Sequence, residues 1–186
     1  MKTSYEMTIA GLDRSLPLCP VTEDLYIAAF IMFGDVELTV ACAKELRDRA
    51  PAFDVLITAE AKGIPLICEM ARQADTNKYI VARKGPKLYM KDIVTVSVNS
   101  ITTDHVQKLS IDATDASYLK GKRVLIVDDV ISTGESLLAL EKLVNQVGGN
   151  IVGRMAVLAE GEAADRDDIL YLEKLPLFHP DGSIME

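Results

Sequence analysis

Two adjacent carboxylates, Asp128 and Asp129, stand at the end of an apolar run, and only Val130 and Ile131 separate them from the small, hydroxyl-rich segment Ser132-Thr133-Gly134-Glu135-Ser136. Paired carboxylates accept hydrogen bonds from a sugar diol. Backbone N–H groups at a helix start are unpaired and lie at the positive end of the dipole, so an anion placed over Thr133 to Ser136 meets ready donors. Gly134 lets the chain approach closely. One segment can therefore grip a sugar and a phosphate together. The run Val124-Leu125-Ile126-Val127 fits a central strand covered on both faces, and Leu137 to Val144 continues with helical spacing. The competing reading is structural: Ser132-x-x-Glu135 is also a capping box, and Asp-Asp at a strand end can be a solvated turn. The conjunction of both parts at the carboxyl end of a parallel strand, where open α/β sheets place their ligands, favours a site.

These residues resemble the phosphoribosyl-pyrophosphate (PRPP) motif of the type I phosphoribosyltransferases: apolar strand, acidic pair, two apolar residues, then a small residue and Thr-Gly-x-Ser/Thr. Other phosphate-binding patterns, G-x-x-x-x-G-K-[ST] and G-x-G-x-x-G, do not occur. The resemblance implies that Asp128 and Asp129, the catalytic candidates, face the ribose 2′- and 3′-hydroxyls. It implies that Ser132, Thr133, Gly134, Glu135 and Ser136 cradle the 5′-phosphate. It also implies Mg²⁺ as cofactor, held mainly by the substrate with help from Asp128 and Asp129, and a homodimer.

A donor that also carries pyrophosphate needs a second anion-binding element on a neighbouring strand's carboxyl end. Ala59-Glu60-Ala61-Lys62-Gly63 occupies that place, with small residues, one point charge at Lys62 and a helix start after it. An ordinary strand-to-helix turn with one exposed lysine is nearly as good a reading of this segment alone. The family often has a cis or strained peptide here, which points to Glu60-Ala61. Arg83, Lys84 and Lys87 concentrate positive charge in an otherwise acidic chain, and similar segments in adenine phosphoribosyltransferases lie near pyrophosphate. A basic surface turn on Gly85-Pro86 is the alternative.

Two alternating segments, Ile93 to Val98 and Val106 to Ile111, read as antiparallel arms around a mobile tip, Asn99-Ser100-Ile101-Thr102-Thr103-Asp104-His105. This resembles the family's loop that closes over the active site and excludes water from a reactive sugar cation. The Glu-Tyr pair of the adenine enzymes is replaced here by Asn99-Ser100-Ile101-Thr102, and xanthine-type relatives carry a loop closer to Val98-Asn99-Ser100. Val130 and Ile131 are candidates to pack against a planar base, although plain core roles serve them equally.

Stepping outward, Asp35 caps a helix from Val36 that ends near Pro51, and Phe53 to Thr58 reads as a strand. A helix follows from Ile64 or Pro65 through Ala74, then a strand over Asn77 to Ala82. Gly148-Gly149 stops the helix after the acidic pair, and Ile151 to Leu158 forms a further strand. Glu160 to Asp168 reads as a solvated acidic loop and Leu170 to Leu177 as a short terminal strand. Alternation of strands and helices predicts an α/β fold, a doubly wound, mostly parallel sheet. The chain of 186 residues is read as one domain, a core of about 35–158 with a small hood from 1–34 and 159–186.

The net charge of −8 argues against nucleic-acid or membrane-surface binding. Cys19, Cys42 and Cys68 are odd in number and lack C-x-x-C spacing, so neither disulfides nor zinc is expected. The first residues do not read as a secretory signal, which predicts a cytoplasmic protein. Taken together, the expectation is a purine phosphoribosyltransferase using PRPP, with adenine favoured and xanthine, hypoxanthine or guanine open. The alternative is a non-catalytic PRPP sensor of the same fold.

Overall fold

The computed structural model describes residues 2–99 and 106–185. Strands β1 (Ser4–Ile9) and β2 (Leu12–Pro20) form a hairpin turning at Ala10-Gly11, where both residues take positive φ, 49° and 78°. That geometry matches the twist of the strands it joins. After β3 (Tyr26–Ala28) comes helix α1 (Val36–Arg49), capped by Asp35, whose carboxylate accepts the Leu38 N–H at 3.0 Å. Next follow β4 (Val55–Ala59), α2 (Ile64–Gln73), β5 (Ile80–Ala82), and the arms β6 (Val94–Asn99) and β7 (Val106–Ile111). The chain continues through α3 (Ala113–Leu119), β8 (Arg123–Ile131), α4 (Glu135–Gln146) and β9 (Asn150–Glu160). It then makes a 3-10 turn (Gly161–Asp165), β10 (Leu170–Leu175) and β11 (Leu177–Phe178).

The central sheet has five strands in the order β10-β9-β8-β4-β5, and every neighbouring pair is parallel. This is the doubly wound sheet that the alternating pattern predicts. Its strands are buried on both faces, which explains the unbroken aliphatic run in β8. Leu125 and Val127 pack with Leu38, Cys42 and Leu46 of α1 and with Leu66, Ile67 and Met70 of α2. Val124 and Ile126 face the other way, toward Leu137, Leu140, Leu143 and Val144 of α4 and toward Val96 and Leu109 of the arms. The arms pair antiparallel from Val94↔Ile111 to Asn99↔Val106, as their alternation predicts, while residues 100–105 of the tip lie outside those described.

A second, antiparallel sheet of four strands, β1-β2-β3-β11, joins the N-terminal segment to the C-terminal one. Ile9, Leu16, Ala28 and Phe178 sink its inner face into the same core as α1 and α2. Two local expectations need correction here. Leu170 to Leu177 is not one strand: Pro176 separates β10, which extends the parallel sheet, from β11, which belongs to the antiparallel one. The acidic stretch after Glu160 is not wholly a solvated loop, because the 3-10 turn buries Ala163. Among the described residues no helix is long and apolar enough to cross a membrane.

Candidate functional site

Strands β4 and β8 are neighbours, yet their ladder runs only through Val55↔Val124, Leu56↔Leu125 and Ile57↔Ile126. From β4 the chain moves outward to β5, and from β8 it moves the opposite way to β9 and β10. This is a topological switch point, where the carboxyl ends of two strands part and leave a crevice. Ala59 to Gly63 leaves one bank and Asp128 to Ser136 the other.

The acidic pair sits within β8 rather than in a solvated turn beyond it, with Asp128 8 % and Asp129 3 % exposed. The Asp129 N–H donates to Asp128 Oδ1 at 2.9 Å. Burial, reinforced by the neighbouring Asp129 carboxylate, pushes the Asp128 carboxyl well above the usual carboxylate range. Lys62 Nζ lies 2.9 Å from Asp129 Oδ2, an ion pair without hydrogen-bond geometry, and the ammonium donates instead to the Phe30 carbonyl at 2.6 Å. Thr58 Oγ1, at the end of β4, is likewise buried with no hydrogen-bond partner. Buried polar atoms are nearly always satisfied, so the orphaned Thr58 Oγ1, facing an Asp129 Oδ2 met only by the Lys62 charge, marks a place for a polar ligand.

Gly63 makes this closeness sterically feasible. A Cβ there would lie 2.8 Å from Thr58 Oγ1, 2.9 Å from Asp128 Oδ1 and 3.4 Å from Asp128 Cα.

The segment 132–136 forms the mouth of helix α4. Gly134 adopts φ 78° as the residue before the helix, and no side chain caps it, so the Ser132–Glu135 capping box does not form. Glu160, at the end of neighbouring β9, has a carboxyl that burial raises and the nearby Ser132 hydroxyl partly lowers. A helix start left uncapped by its own side chains keeps its N–H groups available to an anion. Gln107 Nε2 of arm β7 donates to Ser136 Oγ at 2.9 Å, so the loop is anchored to the antiparallel arms. Asp128, Val130, Ile131 and residues Ser132 to Leu137 line one shared hollow. Ile131 is itself buried at 4 % exposure and packs in the core, whereas Val130 is partly exposed.

The basic residues gather on Glu60. Its Oε1 lies 3.0 Å from Arg83 Nη2 and 3.5 Å from Lys87 Nζ, and Oε2 accepts the Lys84 backbone N–H at 3.0 Å. The Lys84 N–H, with Arg83 and Lys87 beside it, holds Glu60 below the usual carboxylate range. Arg83 is fixed further by reciprocal backbone hydrogen bonds with Ser110 of β7, both 2.8 Å. No cis peptide occurs among the described residues, so the cis form expected near Glu60-Ala61 is absent.

The structure thus brings three of the four sequence-derived groups together, since Ala59 to Gly63 touches the acidic pair through Lys62 and Gly63 and the basic cluster through Glu60. The fourth, Asn99 to His105, falls almost wholly outside the described residues, with only the backbone of Asn99 closing β6. Sequence reasoning missed Thr58, Glu160, Gln107 and the Phe30 carbonyl. Thr58 carried a signal, as a polar residue ending the apolar strand Val55-Leu56-Ile57; the others depend on contacts distant in sequence.

The phosphoribosyl transferase domain model matches residues 40–176. A xanthine phosphoribosyltransferase from Exiguobacterium sp. is 30 % identical over 73 % of this chain and 70 % of its own length. An adenine phosphoribosyltransferase from Acetivibrio thermocellus is also 30 % identical, over 75 % of this chain and 80 % of its own. In three dimensions, the adenine phosphoribosyltransferase of Thermoanaerobacter pseudethanolicus superposes with a TM-score of 0.65 at 21 % identity, covering 92 % of this chain and 95 % of that one. The match spans the parallel core from α1 through β10 and includes both banks of the crevice, and on this ground the chain belongs to the phosphoribosyltransferase family.

Proposed function

We propose that this protein transfers the 5-phosphoribosyl group of PRPP to a purine base with release of pyrophosphate, with adenine the favoured acceptor and xanthine, hypoxanthine and guanine as the others. The observation that carries the reading is the buried Asp128–Asp129 pair set between an uncapped helix mouth on its own strand and Lys62 on the next. In this reading the two carboxylates accept from the ribose hydroxyls, and the N–H groups and hydroxyls of residues 132–136 hold the 5′-phosphate. Residues 60–63 with Arg83, Lys84 and Lys87 receive the pyrophosphate. Val130 lies against the base, with Ile131 behind it.

Nucleophilic attack on C1 of PRPP passes through an oxocarbenium-like ribose. Fixed negative charge beneath the ring and fixed positive charge around the departing pyrophosphate both favour that charge separation over the ground state. The residues supply it without reorganisation, because Asp129 and Lys62 are already in place. The hard carboxylate oxygens of the pair, with no hydrogen bond reaching Asp129 Oδ2, fit Mg²⁺, which binds through one or two carboxylates and substrate phosphates. Bound there, the ion would neutralise leaving-group charge. A cytoplasmic homodimer belongs to the same proposal, the dimer on family resemblance.

Incubation with labelled PRPP and a panel of bases tests this reading by pyrophosphate release. Turnover with a purine that disappears in the Asp128→Asn/Asp129→Asn double variant, at unchanged circular dichroism, is the expected result. PRPP binding without turnover on any base would turn the assignment to a sensor. Full activity in the double variant would remove the acidic pair from the mechanism.

A further inference from the structure

One cation near the helix mouth has no part in the reading above. Arg166, just after the 3-10 turn, donates from Nε and Nη2 to the two oxygens of Asp168, both at 2.8 Å. This fork fixes the plane of the guanidinium and leaves Nη1 as the nitrogen Asp168 does not engage. Nη1 points at the loop: a Cβ on Gly134 would lie 2.8 Å from it. A cation at a helix N-terminus opposes the dipole and is disfavoured there unless an anion shares the place. Asp168 holds it there, and Arg154 in turn braces Asp168 at 3.8 Å while pairing with Glu141 of α4. A purely structural ion pair between Arg166 and Asp168 does not require the free edge to lie over the one residue whose missing side chain opens the loop.

We infer that Arg166 is a phosphate-binding residue of the donor site, its Nη1 closing over the 5′-phosphate from the side opposite the backbone N–H groups of residues 133–136. The inference rests on the donor-site reading proposed above. The guanidinium stays charged at every working pH, so Nη1 remains a donor to a phosphate oxygen while Nε and Nη2 are held by Asp168. Asp168 is then a positioning residue, orienting Arg166 without touching the ligand. Gly134 has a second reason to lack a side chain besides its φ of 78°, because any Cβ would displace the guanidinium.

Titration calorimetry with ribose 5-phosphate, and inhibition by pyrophosphate, separate this role from general support of the fold. Arg166→Gln is expected to weaken ribose 5-phosphate by about tenfold, the scale of one charge-assisted hydrogen bond. Pyrophosphate inhibition should stay unchanged, and Arg166→Lys should recover part of the loss. Unchanged ribose 5-phosphate affinity in Arg166→Gln, or an equal loss for both ligands, overturns the assignment while leaving the donor site standing. Wild-type protein that binds neither PRPP nor ribose 5-phosphate overturns the donor-site reading itself, and the role of Arg166 with it.

Discussion

Lys62 crosses from the end of β4 to the acid in β8, placing its Nζ 2.9 Å from Oδ2 of Asp129. The same ammonium donates to the Phe30 carbonyl, beyond the end of β3, so one side chain ties together three chain segments far apart in sequence. Lys62→Met should leave the Asp129 carboxylate without its counter-charge. Loss of a buried partner is costly, but Lys62 is 40 % exposed and water screens the pair, so the expected destabilisation in urea unfolding is only about 1–2 kcal/mol. The larger effect should fall on turnover, measured as kcat/KM for PRPP.

Gly63 is the tightest point of the crevice, and its φ is not the reason. Gly63→Ala should cost about 1–3 kcal/mol through overpacking against Thr58 and Asp128. The two short contacts are to the buried side-chain oxygens Thr58 Oγ1 and Asp128 Oδ1, so relief requires one of these site groups to leave its place. Activity should fall further than stability does, which parallel assays of turnover and urea unfolding on the same preparation would establish.

Asp128 predicts a pH signature. Its native pKa is raised above the ordinary 3.8 by burial and by Asp129, so the folded protein retains a proton that the unfolded chain releases. The contribution to stability is fully present below that ordinary value and is lost as pH rises through the raised one. Asp128→Asn carries no such proton. The difference in unfolding free energy between variant and wild type should therefore shift in favour of the variant as pH is raised, and a pH-independent difference would refute the account.

Glu60 competes with any pyrophosphate for Arg83 and Lys87. Glu60→Gln should free both cations and strengthen inhibition by pyrophosphate about two- to fivefold, the scale of partly exposed ion pairs. Weaker inhibition would instead make Glu60 a scaffold that keeps the cations gathered.

Much of this architecture is legible in one sequence because burial on both faces of a parallel strand leaves a plain mark. Val124 to Val127 announces β8, helical spacing places α1, α2 and α4, and the alternation on either side of the tip gives β6 and β7. What escapes has physical causes. Alternation in Ser4–Ile9 and Leu12–Pro20 about Ala10-Gly11 signals the hairpin β1–β2, but the segment also reads as irregular pieces of a hood. Ser132-x-x-Glu135 has the spacing of a capping box, and only the left-handed Gly134 shows that the residue before the helix is Gly134 and that the helix begins at Glu135. The groups that complete the site, Gln107 and the Phe30 carbonyl among them, converge through tertiary packing that no local pattern encodes.

The early end of the β4–β8 ladder at Ile57 and Ile126 bears on the mechanics of the whole sheet. Beyond that last rung no ladder pair joins β4 to β8 among the described residues, and the Lys62–Asp129 ion pair spans the gap. A molecule lodged between them acts as a clasp across the seam. Occupancy then resists shear as well as unfolding, and the sheet stiffens at the edge where its own backbone bonding has run out.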